Sequence, residues 1–248
     1  MQREGFRVTA AFEEHHWWFR ARRDLFLCQV ERALSERGEQ GRRPRLLDYG
    51  CGTGFNLRFL ARYGEAFGAD VSYEHEAEFR SVPQGAWLSL DGDLEPQQGR
   101  FDVLTALDVL EHLEDDVAGL VSMRELLGPG GQLVLTVPAY HWLWSGEDVI
   151  SDHRRRYTRS SLERACRTAG LEPRFISYFN LGILPAVTAT IWAERLLRPN
   201  APPRSNLRSL PPRVNEWLYR LVAREARWVG QQRSRLPAGA SLVARCAV

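Results

Sequence analysis

The chain has 248 residues, 44% of them hydrophobic and 26% charged, which is the composition of a soluble globular protein long enough to bury a substantial core. All 33 basic residues are Arg, set against 31 acids for a net charge of +2, and the lack of any Lys excludes Schiff-base chemistry, lysine-bound pyridoxal phosphate and a P-loop. The four cysteines, Cys28, Cys51, Cys166 and Cys246, form no CxxC pair for zinc or dithiol redox chemistry.

The N-terminus carries Arg3, Glu4 and Arg7 with no apolar leader, and the cytoplasm is the expected compartment. Residues 1–43 hold apolar positions at roughly helical spacing and are expected to form two helices, a cap outside the main core. Within them Trp17 and Trp18 are adjacent, so on a helix they point about 100° apart. One is expected in the core. The other can lie over a bound cation, and Arg20 or Arg23 can meet a carboxylate.

The first predicted strand ends in the run Leu46-Leu47-Asp48-Tyr49-Gly50-Cys51-Gly52-Thr53-Gly54. Glycines at a strand-to-helix turn let backbone approach a ligand closely. The dinucleotide version needs a further glycine where Phe55 stands, so that reading fails. A helix is expected over 55–63. A second strand over 65–70 ends at Asp70, and a third over 86–90 runs into Asp91-Gly92-Asp93-Leu94. The fourth begins at Phe101 and leads to Leu107-Asp108-Val109-Leu110-Glu111-His112, and the fifth reaches Val137 after the glycine-rich turn at 128–131. A helix over 159–169 with Gly170 as its stop and a strand over 173–179 follow. The last strand is expected over 241–248.

The Asp-x-Gly-x-Gly-x-Gly turn, with Asp70, Asp93 and Asp108 at the following strand ends, resembles the class I methyltransferases that use S-adenosylmethionine. That resemblance implies an α/β fold: a three-layer, doubly wound sheet of seven strands whose last member is antiparallel. It implies a core over 44–179 closed by a final strand at 240–248. It also implies S-adenosylmethionine as cofactor, with Asp48, Gly50, Cys51, Gly52, Gly54, Leu107 and Asp108 at its methionine side. Asp70 would take the ribose, and Asp93, Leu94 and Val71 the adenine. The segment 13–23 is similar to the aromatic, arginine-rich lead-in of a bacterial subgroup, where it acts as a lid; Trp18, Arg20 and Arg23 would then cover the sulfonium and meet the carboxylate.

Methyl transfer needs an in-line approach and, for a protonated acceptor, a base. His15, His16, His112, His141 and His153 are the candidates, with His153 first and Tyr140, Tyr157 and Tyr178 as orienters. No cluster suited to magnesium is visible, so no metal is expected. The Asn/Asp-Pro-Pro-aromatic signature of amino methyltransferases of nucleic acid is absent, as Leu107-Asp108-Val109-Leu110 occupies its place. The expected acceptor is a small molecule methylated at O, N or C. Two rivals remain: attack on the aminocarboxypropyl carbon with release of methylthioadenosine, and non-catalytic binding of S-adenosylmethionine or S-adenosylhomocysteine.

An insertion over 180–239 carries proline clusters and most of the positive charge. From Arg195 to Arg235 ten Arg face only Glu216 and Glu225, an excess of eight, so with a total of +2 the rest of the chain is near −6. Weak peripheral membrane contact is one expectation. The other, which the apolar positions Trp217, Leu218, Leu221, Val222 and Trp228 favour, is a helix packed on the core. The longest nearly apolar stretch, 181–193, contains Pro185 and is too short to span a bilayer. The oligomeric state cannot be read from the chain.

Overall fold

A computed structural model describes residues 9–38, 41–71, 87–92, 94–198, 202–205, 207–232 and 234–248. The expected Asp93 lies outside these residues. One sheet of seven strands organises the chain in the order β3-β2-β1-β4-β5-β7-β6. In sequence these are β1 (Arg45–Tyr49), β2 (Glu65–Asp70), β3 (Trp87–Ser89), β4 (Phe101–Leu107), β5 (Leu127–Pro138), β6 (Glu172–Phe179) and β7 (Ser241–Ala247). The first five run parallel, and β7 is antiparallel to both β5 and β6. Central strands of such a sheet are covered on both faces, which is why every residue of β4 is buried, the polar Asp102 and Thr105 included.

The strand order reverses between β1 and β4. Chain leaving neighbouring strands in opposite directions opens a crevice at their C-terminal ends, the usual ligand position of a doubly wound sheet. In-register pairing sets Asp48 beside Thr105 at that edge.

The N-terminal segment departs from expectation. Two helical stretches do precede β1 as expected, residues 9–12 and the long helix α1 (Trp17–Arg37), but α1 lies in a different place. It is no outlying cap. Phe26, Val30 and Ala33 pack with Leu46, Leu60, Val103 and Val134, while Ala21 and Leu25 belong to the larger core cluster. The cause is a second layer, the helix α7 (Pro212–Gly230), which covers the other side of α1. Gly230 permits the approach, since a Cβ there would lie 2.6 Å from Cys28 Cβ.

The helix expected over 55–63 shrinks to the single turn α2 (Leu57–Leu60), too short to gather a macrodipole. Beyond it lie α3 (Asp116–Leu126), α4 (Gly146–Ile150), α5 (Arg159–Thr168) and α6 (Leu184–Leu197). Among the described residues no helix is long and apolar enough to cross a membrane. The expected inward face of the insertion is also only half right. Val222, Ala223, Ala226 and Val229 turn to the core, whereas Trp217, Leu221 and Trp228 are exposed.

Candidate active site

The glycine turn after β1 is tied to β2. Gly50 and Cys51 donate their amides to Ala69 O at 2.7 and 3.1 Å, and Gly52 N donates to Asp70 Oδ2 at 2.8 Å. Gly50 (φ 70°) and Gly52 (φ 55°) both hold the left-handed backbone that only glycine adopts without strain. Above the turn is a pocket of about 370 Å³. Asp48, Gly50, Cys51 and Gly52 line one side of it, and Leu107, Asp108, His112 and His153 another.

The two acids at its floor differ. Asp48 is buried and accepts from Thr105 Oγ1 at 2.5 Å. Burial pushes its carboxyl up to about 7, against the pull of Thr105 and Arg22 and with a push from Asp70. Asp108 has the left-handed φ of 58°, a strained conformation for a side-chain-bearing residue and one found at functional sites. Its carboxylate accepts from Thr136 Oγ1 at 3.0 Å and pairs with Arg22 Nη1.

Arg22 was not among the expected residues, and it corrects two that were. Arg20 turns away from the pocket, pairing with Glu216 at 2.9 Å and lying 3.7 Å over the Tyr219 ring. Arg23 is buried beside Phe55 and Phe59 and donates to Glu13 O at 2.6 Å. Positions four apart share a helix face, so it is Arg22 that stands beside Trp18, its guanidinium 4.4 Å from the ring centroid. Both residues line the pocket, as does Trp17. The covering segment is short. Glu13 Oε2 accepts from Thr53 Oγ1 at 2.6 Å, while from Ala21 onward α1 is a fixed part of the core.

On the far wall, Glu111, His112 and His153 place one ligand atom each within 4.8 Å of one another. Glu111 is fully buried, and neither of its oxygens has a hydrogen-bond partner among the described residues. Burial, and then the Asp108 charge, raise its carboxyl well above the ordinary range. Burial also depresses His112 to about 4, helped by His153, whose ring meets it edge-on at 4.7 Å. At neutral pH His112 is therefore an uncharged imidazole. His153 Nδ1 lies 2.9 Å from Asp148 Oδ1, and Asp148 in turn is held by Arg156 through two bonds of 2.7 and 2.8 Å. Carboxylate and imidazole donors converging in this way are of the types that can hold a divalent cation.

Several expected residues lie off the pocket wall. Tyr140 and Tyr178 stack on each other at 5.0 Å, with Trp142 on the outer face of Tyr140 at 5.4 Å. The left-handed φ of 55° at Tyr140 turns the chain out of β5 and carries its ring to β6 instead. Tyr178 OH accepts from Arg159 N at 3.1 Å. Tyr157 donates its hydroxyl to Asp116 at 2.8 Å. Asp70 faces the glycine turn, and Gly54, Leu94 and the half-exposed Val71 are likewise not on the wall. Of the remaining candidate histidines, His16 lines the pocket and caps α1, His15 is exposed, and the His141 ring lies tilted against Trp144 at 5.2 Å.

A family model described as a methyltransferase domain matches residues 18–174. A ubiquinone biosynthesis O-methyltransferase from Cereibacter sphaeroides (strain ATCC 17025 / ATH 2.4.3) is 31% identical over 150 residues, covering 52% of this chain and 60% of that protein. The chain thus matches over less than two thirds of that relative's length. A chain from the complex between the Haloferax volcanii Trm112 methyltransferase activator and a methyltransferase superposes with a TM-score of 0.56 at 18% identity, covering 99% of this chain and 96% of its own. An S-adenosylmethionine dependent methyltransferase from Mesorhizobium loti gives a TM-score of 0.50 at 14% identity, over 89% of this chain and 98% of its own. At those identities the likeness is one of fold.

Proposed function

The chain belongs to the methyltransferase-domain family, and from that premise we propose that it moves the methyl group of S-adenosylmethionine to an oxygen of a small-molecule acceptor. The observation that carries this reading is one pocket joining the glycine turn, Asp48 and Asp108 to the group Glu111, His112 and His153. The choice of oxygen follows the O-methyltransferase named among its relatives. In this reading the turn from Gly50 to Gly52 lies along the cofactor, and Asp70, behind it at the end of β2, takes the ribose hydroxyls. Arg22 leaves Asp108 for the methionine carboxylate, freeing Asp108 and Asp48 for the ammonium group. Trp18 covers the sulfonium, whose charge an aromatic face stabilises.

His153 is the base. With Nδ1 turned to Asp148, its Nε2 takes the acceptor's proton. The oxygen attacks the methyl carbon in line with the C–S bond, whose electrons return to sulfur to give S-adenosylhomocysteine. The second reading rests on the orphaned Glu111 oxygens: a divalent cation bound by Glu111, His112 and His153 would supply Lewis acidity at the acceptor oxygen. One assay addresses both. With a phenolic acceptor, S-adenosylhomocysteine should form, and His153→Gln should lower kcat by about 10²–10⁴ with little change in S-adenosylmethionine affinity. Loss of activity in chelator with recovery on added divalent cation selects the second reading. Methylthioadenosine formed from S-adenosylmethionine alone would overturn the function.

Asp48 gives a pH signature. Its folded-state value of about 7 lies above the ordinary carboxyl value of 3.8, so its contribution to stability is full below the lower value and declines as pH rises through the upper one. A bound ammonium group favours the carboxylate. Cofactor binding just below pH 7 should therefore release a proton and strengthen as pH rises. Calorimetry in buffers of different ionisation enthalpy reads that proton directly, and an enthalpy independent of buffer would separate Asp48 from the ammonium.

A further inference from the structure

We propose that the outer face of α7 docks on an anionic membrane surface. Val214, Trp217, Leu221, Arg224 and Trp228 follow one another at spacings of three and four, so they form a single stripe along the helix. Every one of them is exposed, Trp217 at 62% and Trp228 at 47%. The opposite arc, with Val222, Ala223, Ala226 and Val229, is spent on the core, so the stripe is not needed to hold the helix in place. Long apolar side chains rarely stand in such a row on a surface that meets only water.

The charge around the stripe selects its partner. Arg213, Arg220, Arg224 and Arg227 are all exposed. The two acids of α7 are engaged elsewhere: Glu216 pairs with Arg20 and Arg220, and Glu225 accepts the amides of Leu181 and Gly182 at 3.0 and 2.9 Å. A helix with Trp and Leu on one line and Arg beside it is the pattern of an element lying in the headgroup region, its rings at the apolar boundary and its guanidinium groups on phosphate. Next to the stripe an open groove of about 690 Å³, floored by Leu181, Leu221 and Val222 and edged by Arg224, Arg227 and Glu225, the last with its carboxylate on the Leu181 and Gly182 amides, gives room for a lipid headgroup. A second copy of the chain fits less well. A two-fold contact through this stripe would set the same arginine row against itself, with no spare acid on α7 to answer it.

On the preceding helix, Val187 and Ile191 of α6 and its N-cap residue Ile183 line the pocket, while Trp192, Leu196 and Leu197 are exposed, the last two at 75% and 80%.

The test uses the full chain without cofactor, so its outcome is independent of the reaction. The protein is sedimented with vesicles of phosphatidylcholine and with vesicles of phosphatidylcholine mixed with phosphatidylglycerol. Binding is expected to the anionic vesicles alone, weakened by salt, with a blue shift of tryptophan emission. Replacing both Trp217→Ser and Trp228→Ser should cut partitioning at least tenfold, and Arg213→Gln with Arg224→Gln should cut it by roughly fivefold per arginine. Neither pair touches the pocket, so thermal melting and methyl transfer in solution should stay at wild-type levels. No sedimentation with anionic vesicles at low salt, or binding indifferent to both pairs, would overturn the proposal. So would a concentration-dependent dimer that the tryptophan pair abolishes, which assigns the stripe to a second copy.

Discussion

Gly50→Val is expected to abolish measurable S-adenosylmethionine binding and to lower the melting temperature. Two effects coincide at this position. The φ of 70° costs a side-chain-bearing residue on the order of 1–2 kcal/mol before any contact is made. A Cβ would then stand 2.6 Å from Val109 Cγ2, a distance that real Cβ contacts do not reach. Either the glycine turn lifts from the Ala69 carbonyl or Val109 moves, and Val109 adjoins Asp108. Whichever yields, one of the two walls that meet the cofactor is displaced, and an error of about 1 Å in such a site is worth a factor on the order of 10². Calorimetric titration of the purified variant reads the binding, and circular dichroism confirms that the sheet persists. A folded variant with wild-type affinity would remove the glycine turn from the cofactor site.

The parts of this site that the sequence displays are those fixed by local pattern. Strands β1, β4 and β5 are buried on both faces and read as mostly apolar runs, so the acids and glycines that end them can be placed before any contact is known. Helix phase was harder. Trp18 stood out by composition, yet the companion arginine had to share its face, and only the spacing of four from Trp18 singles out Arg22 over Arg20 and Arg23. The same reasoning applies to α7, where the helical spacing of Trp217, Leu218, Leu221, Val222 and Trp228 reads as one face packed on the core. The small residues Ala223, Ala226 and Gly230 are what let α7 approach α1, so Trp217, Leu221 and Trp228 were left outside. Glu111 and Asp148 were beyond reach for a different reason. Their state depends on burial and on partners brought from separate loops, and a carboxyl looks the same in sequence whether it is neutral and orphaned or ionised and clamped.

That contrast gives the second large effect. Asp148 is fully buried, and burial alone would favour its neutral form; the bonds from His153 and Arg156, with the Ser145 amide at 2.7 Å, outweigh this and hold its carboxyl well below the usual carboxylate range. Its contribution to stability is therefore present above the ordinary carboxyl value of 3.8 and is lost as pH falls below it. Removing the charge strands Arg156, itself only 11% exposed, and Asp148→Ala should cost about 3–5 kcal/mol, the range for breaking a buried pair from one side. Replacing Arg156→Met in the same chain should return part of that loss, because the uncompensated cation goes with it. Asp148→Asn also leaves Arg156 uncompensated and lowers stability, so its reaction is read on the folded enzyme below its melting temperature. It keeps the shape of the clamp but no longer fixes the His153 tautomer, so kcat should fall by a factor on the order of 10²–10⁴ while the affinity for S-adenosylmethionine stays within a few-fold. A folded Asp148→Asn enzyme with undiminished kcat would show that His153 needs no orientation from Asp148, and the role of base would then pass from His153 to another group on the far wall of the pocket.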